Sequence, residues 1–314
     1  MSKLSVIIPA AGKGIRLKPC TNTIPKPLIN VGNKAILGHI LDKIKKLKPN
    51  RVYIVIGHLA HKIRFYVKKK YPSLKVTFVE QNRTEGLGHA VLTALKKINK
   101  NSPVFIILGD TIVSDNFKPI VKKNKNCIAV KKVKKPKNYG IVEVKKNIIT
   151  HMVEKPKVPK SDLAIVGIYY FTDSFKLKCS LTTLHRKHHT TKGEFQLTDA
   201  MADLINDGVK IYAHKITSWY DCGNIKMLLK ANKHLLSKMK TKKLVKSKSN
   251  TIKNPVFISP KAKIKNSIIG PYVSIGEGVL VRNCKISNAI ICQNTKINDA
   301  DIKGTIIHKK RHPA

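Results

Sequence analysis

The chain reads as an α/β protein. Its large first part is a mixed, mostly parallel sheet with helices on both faces, and a short parallel β-helix follows. Two observations predict this. Over the first 130 residues, short apolar runs alternate with stretches of helical spacing, the signature of a sheet wound between helices. After residue 250 the period changes, and Ile258, Ile264, Ile269, Ile275, Val281, Ile286, Ile291, Ile297, Ile302 and Ile307 recur every five or six residues. Gly, Asn and Asp mark the turns between them, the rhythm of a coil whose aliphatic residues point into a prism.

In chain order, Leu4–Ile8 predicts a buried strand and Ile36–Leu47 a helix with Ile36, Leu37, Ile40, Leu41 and Ile44 on one side. Arg51–Gly57, Val76–Gln81, Val104–Leu108 and Ile128–Val133 read as strands, and His58–Tyr71 and Leu87–Ile98 as helices. From Asn138 to Pro156 the pattern is two strands around the turn Lys145-Lys146-Asn147. Ala164–Phe171 and Lys210–Ile216 are further strands, and Phe195–Asp207 and Ile225–Met239 are helices. Cys179–Lys192 is basic and is expected to be irregular. Lys240–Asn250, rich in Lys, Ser and Thr, reads as a linker. The expected organisation is a domain over 1–239, a linker over 240–254, a β-helix over 255–308 and a basic tail over 309–314.

Bulk properties narrow the classes. The 314 residues with 42% hydrophobic content suffice for one large and one small core. No apolar run is long enough for a membrane span, and no secretory signal pattern opens the chain, so a cytoplasmic protein without a membrane span is expected. The six cysteines form no C-x-x-C pair and are expected to be free thiols. The net charge of +45 is mostly Lys spread along the chain. It is read as a general Lys bias rather than a specific nucleic-acid surface, since no Arg and aromatic cluster sits on one element. In either case the field attracts anions.

The chemistry centres on Pro9–Leu28, PAAGKGIRLKPCTNTIPKPL. A turn built on Gly12 and Gly14 after a strand can aim several backbone N–H groups at a phosphate, and Arg16 and Lys26 add two fixed cations. Asp110 ends a strand in the string LGDT, and Asp221 lies in WYDCGN; carboxylates in such places can hold Mg²⁺ beside phosphates. Gln81 can donate to and accept from a pyrimidine edge, and Gly86 and Gly88, in EGLGHA, would let a base approach the backbone. Glu154-Lys155-Pro156 ends the hairpin. Its Lys could neutralise a sugar phosphate and its Glu could accept from sugar hydroxyls.

Together these strings resemble the sugar-1-phosphate nucleotidylyltransferases, which join an NTP to a sugar phosphate and release pyrophosphate. Gly12, Gly14, Arg16, Leu17, Lys26 and Pro27 match the signature loop, and Ile15 stands where the family usually has Thr. The resemblance implies a Rossmann-like nucleotidyltransferase domain with a left-handed hexapeptide β-helix. It places nucleotide binding at Ala10, Ala11, Gly12, Gly14, Gln81 and Gly86, and sugar-phosphate binding at Tyr139, Gly140, Glu154, Lys155 and Glu194. Arg16, Lys26 and Lys155 become catalytic cations, and Asp110 and Asp221 the ligands of Mg²⁺. GLGHAV and GEFQLTDAM look closest to the UTP–glucose-1-phosphate branch, and KPL with the β-helix to the thymidylyl branch, so which NTP and which sugar are left open. Bifunctional members carry a longer β-helix that acetylates a sugar; with only His308 in the expected β-helix, no acetyl transfer is expected. The β-helix is an expected contact of a homo-oligomer of unstated order. A different class with the same two-domain plan resembles non-catalytic assembly subunits of the translation initiation exchange factor and of regulatory pyrophosphorylases. The presence of Arg16, Lys26, Asp110, Lys155 and Asp221 favours the enzyme.

Overall fold

A computed structural model describes residues 4–98, 102–239 and 249–308. Most of the expected linker and the basic tail lie outside the described residues. The chain separates into two compact units that do not follow a single cut: one holds residues up to Lys13 together with Ile40–Trp219, the other Gly14–His39 and the chain from Tyr220 onward.

The elements run β1 (Ser5–Pro9), the small hairpin β2 (Asn30–Val31) and β3 (Lys34–Ala35), α1 (Ile36–Lys45), β4 (Arg51–Ile56), α2 (Ala60–Lys70), β5 (Val76–Glu80), α3 (Leu87–Leu95), β6 (Val104–Ile107), β7 (Thr111–Val113) and α4 (Lys118–Lys122). They continue with β8 (Cys127–Lys132), β9 (Gly140–Lys145), β10 (Ile148–Glu154), β11 (Leu163–Phe171), α5 (Ser174–Arg186), α6 (Leu197–Asn206), β12 (Tyr212–Lys215), β13 (Trp219–Asp221) and α7 (Ile225–Lys238).

Among the described residues, the first unit is built on a nine-stranded sheet of order β5-β4-β1-β6-β11-β8-β12-β10-β9. β1 is its innermost parallel strand. It pairs in parallel with β4 on one side and β6 on the other, and Val6, Ile7 and Ile8 are wholly buried. An apolar run bounded by turn residues is what a strand covered on both faces requires. The sheet is mixed because β11 runs antiparallel to both β6 and β8, while β8 and β12 are parallel. The hairpin β9–β10 turns through Lys146 and Asn147, both at positive φ, as a two-residue primed turn demands.

One expectation fails here. Cys179–Lys192 is irregular only from Lys187 onward, because α5 carries helix through Arg186. Asp173 caps it by accepting from the Phe175 N–H at 2.8 Å, and Leu177, Leu181 and Leu184 bury one face. His185 and Arg186 close the helix, and the remaining basic residues, Lys187, His188, His189 and Lys192, follow its end.

The second unit contains the β-helix, with β14 (Thr251–Ile252), β15 (Val256–Ile258), β16 (Lys263–Lys265), β17 (Ile268–Ile269), β18 (Val273–Ile275), β19 (Leu280–Arg282), β20 (Lys285–Ser287), β21 (Ile290–Ile291), β22 (Lys296–Asn298), β23 (Asp301–Lys303) and β24 (Ile306–Ile307). These form three parallel sheets, β14-β17-β20-β23, β15-β18-β21-β24 and β16-β19-β22, as a left-handed β-helix requires. The predicted aliphatic residues stack in three columns in register, Ile269, Ile286 and Ile302; Ile258, Ile275, Ile291 and Ile307; Ile264, Val281 and Ile297, and Ile252, inside the stretch read as linker, heads the first column. One corner repeats Asn266, Asn283 and Asp299 near φ +50°. Asn and Asp tolerate that left-handed backbone better than other side chains.

Asn232 of α7 is fully buried and ties this unit together. Its Oδ1 accepts from the Gly32 N–H at 2.8 Å and the Ser274 hydroxyl at 2.6 Å, and its Nδ2 donates to the Tyr272 carbonyl at 3.0 Å. One amide therefore joins the β2–β3 turn, α7 and the β-helix. Leu fills a similar volume and can satisfy none of the three groups. Asn232→Leu should cost about 1–3 kcal/mol for each group left unpaired, read as a lower denaturation midpoint, whereas an unchanged midpoint would deny the amide this role.

Candidate active site

The sequence-predicted residues fall into sets that each unit holds by itself. In the first unit the end of β1 is crowded. The Gly109 N–H donates to the Pro9 carbonyl at 2.9 Å, and a Cβ at 109 would stand 2.6 Å from that oxygen. Gly57 is equally constrained, 3.0 Å from the Ala11 carbonyl. Ala10 and Ala11 are consequently buried, and Gly12 beyond them is exposed, with open space where a side chain would be. Asp110 follows Gly109 directly, half-buried at the end of β6.

Two strings far apart in sequence form the next set. The Phe195 N–H donates to the Glu85 carbonyl at 2.8 Å, and the Gly88 N–H donates to the Phe195 carbonyl at 2.8 Å. GEFQLTDA is thus laced against EGLGHA. Side chains at Gly86 or Gly88 would meet the Phe195 carbonyl at 2.7 or 2.9 Å, and Gly86 also needs its φ of +112°. The glycines serve the lacing of the two strings. The Gln81 amide donates to the Gly86 carbonyl at 3.2 Å, which holds it at the head of this loop. Glu194 lies exposed beside Gln196, whose amide donates to it at 3.2 Å.

The third set joins Tyr139-Gly140 to Glu154-Lys155. Gly140 and Glu154 are register partners of β9 and β10, and a Cβ at 140 would stand 2.9 Å from Glu154 Oε2. The Lys155 N–H donates to the Tyr139 carbonyl at 3.1 Å, and Lys155 is held at φ +42°. A Lys in that region is strained, and such strain persists where the surroundings over-determine it. Its Nζ lies 3.2 Å from Glu154 Oε1, and Thr198 donates to Glu154 Oε2 at 2.8 Å. Beneath them Tyr169 is fully buried. Burial pushes its hydroxyl pKa well up, and the charges of Glu154 and then Asp110 push it further.

In the second unit, Gly14 takes φ +64° at the start of a short 3₁₀ turn containing Arg16. A side chain there would press on Thr21 at 3.0 Å and the Lys26 Cβ at 3.1 Å. Arg16 and Asp221, some two hundred residues apart, converge on Gly223. The position a Cβ would take at 223 is 2.9 Å from Arg16 Nη2 and 3.0 and 3.1 Å from the two Asp221 carboxylate oxygens. Two oxygens of that kind are the hard donors that Mg²⁺ takes.

The sequence reading missed Thr198, Gly109 and Gly223, which hold or make room for the residues it chose. Gly223 and Thr198 stand inside the quoted strings, but their partners lie too far along the chain to be inferred. Trp219, two residues before Asp221, sets its ring against Tyr139 at 5.0 Å, edge-on, and its indole N–H is buried with no hydrogen-bond partner among the described residues.

Residues 5–238 match the family model of the nucleotidyl transferases. The chain belongs to that family. It is 35% identical over 320 residues to a protein named "Bifunctional protein GlmU" from Methanocaldococcus jannaschii, an alignment covering 94% of this chain and 74% of that one. It is 27% identical to the glucose-1-phosphate thymidylyltransferase of Streptomyces antibioticus, covering 97% of this chain and 92% of the relative. A UDP-glucose pyrophosphorylase solved with UDP-glucose superposes with a TM-score of 0.65 at 25% identity, covering 76% of this chain and all of the other. The chain is thus a nucleotidyltransferase of the sugar-1-phosphate type. No helix among the described residues is long and apolar enough to cross a membrane.

Two outcomes follow for this nucleotidyltransferase. Gly223→Ala should lower turnover about tenfold or more by displacing Arg16 or Asp221, a loss of at least ~1.4 kcal/mol of barrier, with little change in thermal midpoint; full turnover would mean that neither group acts in the step. Asp199 in GEFQLTDA has a buried Oδ2 with no hydrogen-bond partner among the described residues, 3.6 Å from His189 Nε2, and burial raises its pKa above the ordinary carboxylate value against the opposing pull of Thr191 and His189. Its neutral form is favoured on folding, so its contribution is greatest below the unfolded pKa and falls as pH rises through the folded one. Asp199→Asn should therefore raise the thermal midpoint at neutral pH, and the gain should disappear below pH ~4.

Proposed function

We propose that the protein couples a pyrimidine nucleoside triphosphate, UTP at least as well as dTTP, to a glucose-type sugar-1-phosphate. The observation that carries the reading is the joining of Tyr139-Gly140 to Glu154-Lys155, because it presents a carboxylate and an ammonium side by side at a strand end. A sugar phosphate offers hydroxyls to the one and an anion to the other. The sugar-phosphate oxygen attacks the α-phosphorus in line, and pyrophosphate leaves. Both reactants are polyanions, so the protein contributes position and charge.

Lys155 holds the attacking phosphate, with Glu154 on the sugar hydroxyls and Glu194 beside it. Arg16 and Lys26 neutralise the triphosphate as charge develops on the leaving pyrophosphate. The Gly12–Gly14 turn supplies backbone N–H donors, and Gln81 with Gly86 reads the base. Asp110 and Asp221 are assigned as Mg²⁺ ligands; the ion, when bound, offsets phosphate charge as a Lewis acid. Glucose-1-phosphate is the proposed acceptor. The likeness to proteins named bifunctional, of a family whose bifunctional members acetylate a sugar, brings its N-acetylated 2-amino analogue forward as the second.

The test is pyrophosphate release across UTP, dTTP, CTP, ATP and GTP against both sugar phosphates. UTP and dTTP should both react, since one methyl is worth only about 1–3 kcal/mol in a tight pocket, and both should far exceed the purines. Lys155→Ala should cost about a hundredfold or more in turnover, and Asp110→Asn should lose turnover with its fold intact. A preference for ATP or GTP would overturn the base assignment, and silence across the matrix would return the chain to the non-catalytic class.

A further inference from the structure

The string EGLGHA carries two groups that the proposed reaction does not use, Glu85 and His89, and α5 brings a third to them. His185 Nε2 lies 3.0 Å from Glu85 Oε2, and His89 Nδ1 lies 3.6 Å from the same oxygen. One donor atom from each residue falls within 4.8 Å of the others. Glu85 and His89 are four residues apart at the start of α3, and His185 stands in the last turn of α5, a hundred residues on. The two imidazole rings lie 5.4 Å apart and within 13° of parallel, and the Phe195 ring lies 5.5 Å from His185.

We infer that Glu85, His89 and His185 form a binding site for a zinc-class divalent cation, separate from the two aspartates assigned to Mg²⁺. Two nitrogens and one oxygen are a donor set for Zn²⁺, Co²⁺ or Ni²⁺, whereas Mg²⁺ prefers oxygen alone. Around a tetrahedral ion with bonds of about 2.0–2.2 Å, donor atoms stand roughly 3.3 Å apart. The separations of the two imidazole nitrogens from Glu85 Oε2, 3.0 and 3.6 Å, bracket that value, and the two nitrogens lie within 4.8 Å of each other. Rotation of the side chains brings the donors onto an ion, with His89 Nδ1 leaving its present neighbours, the Arg83 carbonyl at 3.2 Å and the Gln81 amide at 3.4 Å.

The charge pattern favours the same reading. The chain has 17 acidic residues against 62 Lys and Arg, and this one carboxylate oxygen faces two imidazoles. A divalent ion among them would engage all three residues at once. The side chains are open to solvent, Glu85 at 36% and His185 at 39% exposure, and His89 at 17% is the more enclosed. Such a site keeps positions for water, as three-ligand zinc sites do. A bound ion would fasten the EGLGHA loop to the end of α5, an effect that does not depend on which nucleotide the protein uses.

The experiment is titration of the metal-stripped full chain with Co²⁺, followed by its visible d–d absorption, with Zn²⁺ displacement and chelator competition to obtain the zinc affinity. One equivalent should give an intense band that Zn²⁺ abolishes. His89→Ala and His185→Ala should each weaken binding by about tenfold or more, and Glu85→Gln, which keeps the shape of the side chain, should weaken it too. Circular dichroism and the thermal midpoint of the metal-free variants confirm that they fold. Asp110→Asn should leave the band unchanged. The inference is overturned if no band forms, or if it survives the His89→Ala/His185→Ala double variant, which would place the ion on other histidines of the chain.

Discussion

Where β1 ends, the Pro9 carbonyl accepts from the Gly109 N–H and the Ala11 carbonyl lies 3.0 Å from where a Cβ would stand at Gly57. The end of the first unit that carries the candidate site depends on that close approach. Neither 57 nor 109 has room for a side chain without shifting main-chain atoms, because protein interiors have no slack to absorb one. The crowding brings β4 and β6 up to the end of β1. It aims the Gly12 turn outward and leaves Asp110 at the end of the neighbouring strand, the place where open α/β sheets present ligand-binding groups.

The same device recurs at every functional string. Gly140 leaves room for the Glu154 carboxylate, Gly86 and Gly88 for the Phe195 backbone, and Gly223 for Arg16 and Asp221. In each case a Cβ would stand within about 3 Å of the neighbour the glycine admits, whether a hairpin partner as at Gly140 or a remote segment as at Gly86, Gly88 and, toward Arg16, Gly223. The functional side chains are thereby held by neighbours rather than by their own rotamers, the preorganisation on which electrostatic stabilisation of a polyanionic transition state depends.

The β-helix rests on a different economy. Each coil of 16 or 17 residues contributes one aliphatic residue to each of three columns, and left-handed Asn, Asp and Gly residues turn the corners. A coil alone cannot bury those residues, so the stack is stable only as a stack. Asn232 joins it to α7 and to the β2–β3 turn with one amide whose three hydrogen bonds are all made inside the core of the second unit.

Periodicity and local strings carried much of this in the sequence. A buried strand ahead of Gly12, the aliphatic rhythm after residue 250 and the strings around Asp110, Lys155 and Asp221 are local features, legible because side-chain spacing follows backbone geometry directly. The basic run from His185 to Lys192 concealed the end of α5, because it begins inside the last helical turn and continues past it, while Leu177, Leu181 and Leu184 mark the buried face. What only the tertiary structure decided is which strings meet. That Gly223 separates Arg16 from Asp221, that Thr198 holds Glu154 and that His185 reaches Glu85 are matters of long-range packing. Segments far apart along the chain are brought together by burial of the core between them, and no local pattern records the partner a residue will find there.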